Sequence, residues 1–154
     1  AKNAGRKVAL SLSDSFCVNR HRESFIKLVE DHIDILFANE DEITTLYKTS
    51  SLNTALEKLK KKCDLAAITI GEKGSILISN GKEIKIDPFI LGKAIDTTGA
   101  GDLYAGGFLK GLADGLKPEL SAKIGSICAG QIVTQLGSRS NTDLLNLINS
   151  HLEA

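Results

Sequence analysis

The sequence predicts an α/β fold built on a mostly parallel sheet, with helices on both faces and one inserted β-hairpin. Three observations carry that expectation. Strand-like and helix-like runs alternate along the chain. The run Ile33–Phe37 is compact and apolar, as suits a strand covered on both faces. Asn80-Gly81 separates two short strand runs and is a strong type I′ hairpin signal.

Taken in order, Lys7–Leu12 (KVALSL) reads as a short β run, followed by a helix from about Asn19 to Asp31 carrying Phe25, Ile26, Leu28 and Val29. Strand Ile33–Phe37 leads into a helix from Asn39 to near Tyr47. Leu52, Ala55, Leu56 and Leu59 then fall at helical spacing, with Lys58, Lys60, Lys61 and Lys62 on the watery side. Leu65–Ile70, Ser75–Ser79 and Lys82–Ile86 read as strands. After Pro88 comes a short strand near Ala94, then a helix from Asp102 to Asp114 that Gly115 ends. A long helix from about Glu119 to Leu136 stops at Gly137, and Thr142 is expected to cap a last helix.

A chain of 154 residues with 42% apolar and 25% charged content suffices for one domain with a real core. Nineteen basic residues balance nineteen acidic ones, so no broad field points to nucleic acid or an anionic membrane. Any anion site must be local. Cys17, Cys63 and Cys128 lack metal or disulfide spacing and fit a reduced, cytoplasmic setting. His21, His32 and His151 are too far apart for a metal motif, which leaves surface or capping roles. No apolar run approaches the roughly 18 residues that span a bilayer. The lack of any Met and the opening Ala1-Lys2-Asn3-Ala4-Gly5 predict that position 1 is not a natural start and that the chain continues a longer protein. The first strand would then expose an edge, which a second copy in a homo-oligomer could cover.

The run Asp96-Thr97-Thr98-Gly99-Ala100-Gly101-Asp102 carries the chemistry. Gly99, Ala100 and Gly101 offer successive N–H groups without side-chain obstruction, and a helix starts there, so unpaired amides and the positive end of its dipole face one point. Asp102 falls in the first turn, placed to accept a proton from a hydroxyl attacking phosphorus. Taken alone, a GxGD segment also serves as an ordinary helix start. Neither a P-loop GxxxxGK[ST] nor a protein-kinase HRD loop is present.

The seven-residue string resembles the second signature of the ribokinase-like carbohydrate and nucleoside kinases, the PfkB family. VALSLSDSF, FANEDEI and DTTGAGDLYAGGF are most similar to bacterial adenosine kinases and related sugar kinases. The resemblance implies a ribokinase-like three-layer α/β/α fold, here incomplete. Residues 1–154 would be its C-terminal nucleotide-binding and catalytic part, without the substrate-binding half and lid. It implies that Gly99, Ala100 and Gly101 stabilise the transferred phosphoryl group and that Asp102 is the general base. Asn39 and Glu42 match the family's Asn-x-x-Glu, which arranges Mg²⁺, water and nucleotide phosphates; the same pair also reads as a capping box, and both hold together. Thr69, Gly71 and Gly74 match a Thr-x-Gly-x-x-Gly element along ATP, although two turn glycines fit the same spacing. Asp96 and Thr98 match a K⁺ loop in many relatives, while Asp96 equally suits backbone bracing. Cys128, Ala129 and Ile132 would border adenine, or serve close helix packing alone.

The implied activity is ATP-dependent transfer of the γ-phosphoryl group to a primary hydroxyl of a nucleoside, adenosine favoured, or of a sugar. ATP and Mg²⁺ are the implied cofactors, with K⁺ in addition. The partners are small molecules, with no nucleic acid and no membrane. The isolated 154 residues are expected to be inactive. The alternatives are a non-catalytic nucleotide-binding or regulatory module and a structural α/β domain.

Overall fold

The computed structural model describes residues 1–152. Strands β1 (Ala9–Ser11), β2 (Ile35–Asn39), β3 (Leu65–Thr69), β4 (Ser75–Ser79) and β5 (Lys82–Ile86) form a five-stranded sheet in that order. β1 and β2 run parallel with Ala9 opposite Ile35, and β2 and β3 run parallel with Leu36 opposite Ala66. β4 returns antiparallel to β3: the Asn80 N–H donates to the Asp64 carbonyl at 2.9 Å, just ahead of β3. β5 follows through the Asn80-Gly81 turn, whose φ angles of 50° and 75° suit a type I′ hairpin.

The helices are α1 (Ser15–Arg20), α2 (Arg22–Asp31), α3 (Glu40–Leu46), α4 (Leu52–Leu59), α5 (Ala100–Ala113), α6 (Pro118–Ile132) and α7 (Leu144–Leu152). They belong to two compact units, Ala1–Gly71 with Ile76–Ile84, and Glu72–Ser75 with Lys85 onward. In the first unit, Leu36, Ala38, Ala66, Ile68 and Ile78 line one face of the sheet and share a core with Val18, Val29, Ile43, Leu46, Leu56 and Leu59. Each fully buried large aliphatic side chain contributes about 1.5–3 kcal/mol. The alternate residues Ile35, Phe37, Ala67 and Leu77 are buried as well, so β2 and β3 are covered on both faces, as their apolar sequences require.

In the second unit α5 and α6 approach through small residues. A Cβ on Gly107 would lie 2.8 Å from the Cys128 Sγ, and one on Gly125 2.7 Å from the Tyr104 carbonyl oxygen. Ile148 of α7 packs on Ile124, Ile127 and Cys128, and the His151 ring sits edge-on to Phe89 at 4.8 Å.

Four local expectations are corrected. The helix expected over 19–31 is two helices, because the Asp14 carboxylate caps α1 at the Cys17 N–H and the chain breaks at His21. Among the described residues no strand forms near Ala94: the N–H groups of Ile95 and Asp96 both donate to the Val133 carbonyl at the end of α6 instead. α6 ends at Ile132 rather than Leu136, since the Thr134 and Gln135 N–H groups bond three residues back and tighten the last turn. α7 is capped by Asp143, whose Oδ1 accepts from Leu145 and Asn146, while the Thr142 hydroxyl accepts from Gln131 instead.

Candidate active site

Asn39 and Thr69 are register partners at the C-terminal ends of β2 and β3, the edge of a parallel sheet where ligands bind in α/β folds. Asn39 is also the N-cap of α3. Its Oδ1 accepts from the Glu42 N–H at 2.8 Å, while the Glu42 carboxylate accepts from the Asn39 N–H at 3.0 Å and from Nδ2 at 2.8 Å. The capping box is therefore complete. Glu42 is only 6% exposed, and burial pushes its carboxyl above the usual range against the opposing Asn39 amide, with Asp14 and Asp41 adding to the rise. Thr69 is half-buried, and Gly71 stands exposed at the start of a single 3-10 turn, Gly71–Lys73.

Gly74 opens β4 under tight constraint. Its φ is +90°, and a Cβ would lie 2.2 Å from the Ile86 carbonyl oxygen, so no other residue fits.

The loop before α5 is braced at both carboxylate oxygens of Asp96. Oδ1 accepts from the Thr98 N–H and Oδ2 from the Gly137 N–H, each at 2.9 Å. Hydrogen bonds from Thr98 and Gly137 hold this carboxyl below the ordinary Asp value. Gly99, at φ +81°, is the N-cap of α5; a Cβ there would stand 2.7 Å from the Ser138 Cβ. The Ala100 N–H turns back to the Thr97 carbonyl at 3.1 Å, and Leu103 donates to the Gly99 carbonyl at 2.9 Å. That leaves the N–H groups of Gly99, Gly101 and Asp102 without a partner among the described residues. A Cβ on Gly101 would meet nothing within 4 Å, and the Asp102 side chain is exposed in the same turn. A helix start with three unpaired amides, open space and an exposed carboxylate can hold an anion and take a proton beside it.

On α6, Cys128 and Ile132 are 2% and 0% exposed, Cys128 packing with Ile124, Ile127 and Ile148, whereas Ala129 is half-buried. Burial raises the Cys128 thiol. Gly137 was legible in the sequence only as a helix stop and Ser138 not at all; their place against Asp96 and Gly99 is a long-range contact with no local signal.

Among the described residues no helix is long and apolar enough to cross a membrane. A profile described as pfkB family carbohydrate kinase matches residues 1–144. The crystal structure of adenosine kinase from Sinorhizobium meliloti is 40% identical, with a TM-score of 0.93 over 100% of this chain and 47% of that one. Arabidopsis thaliana ribokinase, solved with ribose and ATP, is 26% identical with a TM-score of 0.76 over 95% of this chain and 49% of its own. The nucleoside kinase of Methanocaldococcus jannaschii is 31% identical over 132 residues, 86% of this chain and 43% of that protein. The chain thus spans less than half the length of these proteins. With the family profile covering most of its residues and a solved homologue superposing on all of it, the chain belongs to the pfkB family of carbohydrate kinases.

Proposed function

We propose that this chain is the nucleotide-binding and catalytic part of an ATP-dependent kinase that phosphorylates a primary hydroxyl of a nucleoside, adenosine favoured, or of a sugar. The observation that carries the reading is the start of α5, where the free amides of Gly99, Gly101 and Asp102 adjoin the exposed Asp102 carboxylate.

A transferred phosphoryl group spreads negative charge over its equatorial oxygens, and amides fixed in place beforehand stabilise that charge without reorganising. Gly101 leaves room for the group to approach the backbone, and Gly99 with Ala100 sets the turn that aims the amides. Asp102 takes the proton from the attacking hydroxyl. In this reading Thr69, Gly71 and Gly74 contact the nucleotide, and Cys128, Ala129 and Ile132 are the apolar neighbours of its base.

The Glu42 carboxylate fits Mg²⁺ held through water. Both of its oxygens already accept from Asn39. Among the described residues no group of three or more acidic, His or Cys side chains could bind a metal directly. Magnesium keeps much of its hydration shell and is commonly held by one or two carboxylates and substrate phosphates. When bound it supplies neutralising charge to the phosphates. Asp96 and Thr98 are the residues for a K⁺ loop, a part of the reading tested by activation with K⁺ over a bulky organic cation. Three unpaired cysteines accord with a cytoplasmic setting.

The test is Asp102→Asn in the intact protein, assayed by ADP release over a panel of nucleosides and sugars. Turnover is expected to fall by about 10²–10⁴-fold while ATP affinity, measured by calorimetry, persists. Unchanged turnover would leave the loop as a nucleotide-binding module and remove Asp102 from catalysis. The 154 residues alone are expected to release little ADP, because positioning the acceptor is worth about 7–11 kcal/mol of barrier.

A further inference from the structure

We infer that Gln135, seated by Gln131, is a positioning residue that holds the amide pocket at the start of α5 in its working geometry. The inference rests on the proposed kinase reading and adds to it a support outside every recognised motif.

Gln135 closes the loop that follows α6 on itself. Its Nε2 donates to the Arg139 carbonyl at 2.7 Å and its Oε1 accepts from the Asn141 N–H at 3.1 Å, so one side chain fastens two points of the loop backbone. The side chain is itself fixed from the helix. Gln131, 3% exposed, donates from Nε2 to the Gln135 Oε1 at 3.0 Å and to the Thr142 hydroxyl at 3.1 Å. The buried Gln131 Oε1 has no partner among the described residues, so the side-chain bonding seen for this residue passes through the atom that seats Gln135 and Thr142.

The loop so closed is the one that touches the motif. Gly137 donates to Asp96 Oδ2, and the other Asp96 oxygen fixes the Thr98 N–H. Ser138 backs Gly99 at a distance that admits no Cβ. A contiguous series therefore runs from Gln131 through Gln135 and the 136–142 loop to Asp96, Thr98 and Gly99, and ends at the unpaired amides. Exposed loops drift unless tied, and a drift of the Gly137 amide would be passed directly to Asp96. Groups that act on the transition state tolerate displacement poorly, whereas binding of the nucleotide body is spread over many contacts.

The experiment compares Gln135→Leu and Gln135→Glu with wild type in the intact protein, reading kcat, the KM for ATP, melting temperature and backbone amide exchange. Gln135→Leu is expected to lower kcat about tenfold to a hundredfold while the KM for ATP stays within about twofold. Gln135→Glu keeps the acceptor for the Asn141 amide and recovers part of kcat. Independently of turnover, the Thr98 and Gly137 amides exchange faster in Gln135→Leu. Unaltered kcat, unaltered exchange at those two amides, or losses in both variants that merely track melting temperature would overturn the inference. A wild-type protein that turns over none of the nucleosides or sugars would overturn the kinase reading instead, while the amide-exchange result would still decide whether Gln135 holds the loop.

Discussion

The Ser75 and Tyr104 hydroxyls share a hydrogen bond of 2.8 Å with both side chains buried. Ser75 directly follows Gly74, and Tyr104 lies two residues beyond Asp102 on α5. One buried bond thus ties the end of the glycine turn to the helix that bears the proposed base.

Removing one partner orphans the other. Tyr104→Phe is expected to destabilise the protein by about 1–3 kcal/mol in urea titration, and adding Ser75→Ala should recover part of that loss. Burial also pushes the Tyr104 phenol up to about 12 from an ordinary 10.0. The fold favours the neutral phenol, so this contribution is full below the unfolded value and disappears as pH rises through the folded one. The urea midpoint should therefore fall across that alkaline window, and fall less steeply in Tyr104→Phe. Tyr47, also raised to about 12 by burial, adds to the same slope in both proteins.

Gly99 and Gly101 separate shape from chemistry. Gly99→Ala combines φ +81° with a Cβ 2.7 Å from Ser138, so both melting temperature and turnover should drop. Gly101→Ala meets open space inside a helix and should hold or raise stability by up to about 1 kcal/mol. Its turnover should nonetheless fall, because the new methyl occupies the approach to the amides. Full activity in Gly101→Ala would remove that approach from the mechanism.

At Asn39 the cap and the buried carboxylate are coupled. Asn39→Ala removes the acceptor for the Glu42 N–H and is expected to cost about 0.5–2 kcal/mol. Asn39→Asp keeps that acceptor but sets an oxygen against Glu42 Oε1 where Nδ2 donated. Two facing acids share one proton, which the pair holds more tightly in the fold than in the unfolded chain. Stability of Asn39→Asp should therefore be highest at acid pH and decline as pH rises through the carboxylate range. Thermal melts across that range check the sign.

Local patterns were enough to announce much of this molecule. Apolar runs marked β2 and β3, Asn80-Gly81 marked the β4–β5 turn, and the N-x-x-E spacing offered a capping box that the fold completes bond for bond. These are short-range matters, set by side-chain period, turn chemistry and hydrogen bonds within a few residues. Helix ends were less legible: α6 ends four residues before Leu136 because backbone bonds to the preceding turn outcompete the apolar period there.

By itself, the amino-acid order determined most of the strand and helix order, the hairpin, and the three motifs with their glycines and acids, but not the break at His21 or the lack of a strand near Ala94. Only the tertiary structure decided which amides stay free and what holds them. The Ala100 N–H is taken by Thr97, and Asp96 is fixed by Gly137, 41 residues away in sequence. Gln135 closes the loop on which that contact depends. Such pairings link residues with no shared period or spacing, and they exist only once α5 and α6 have packed and brought the two loops together.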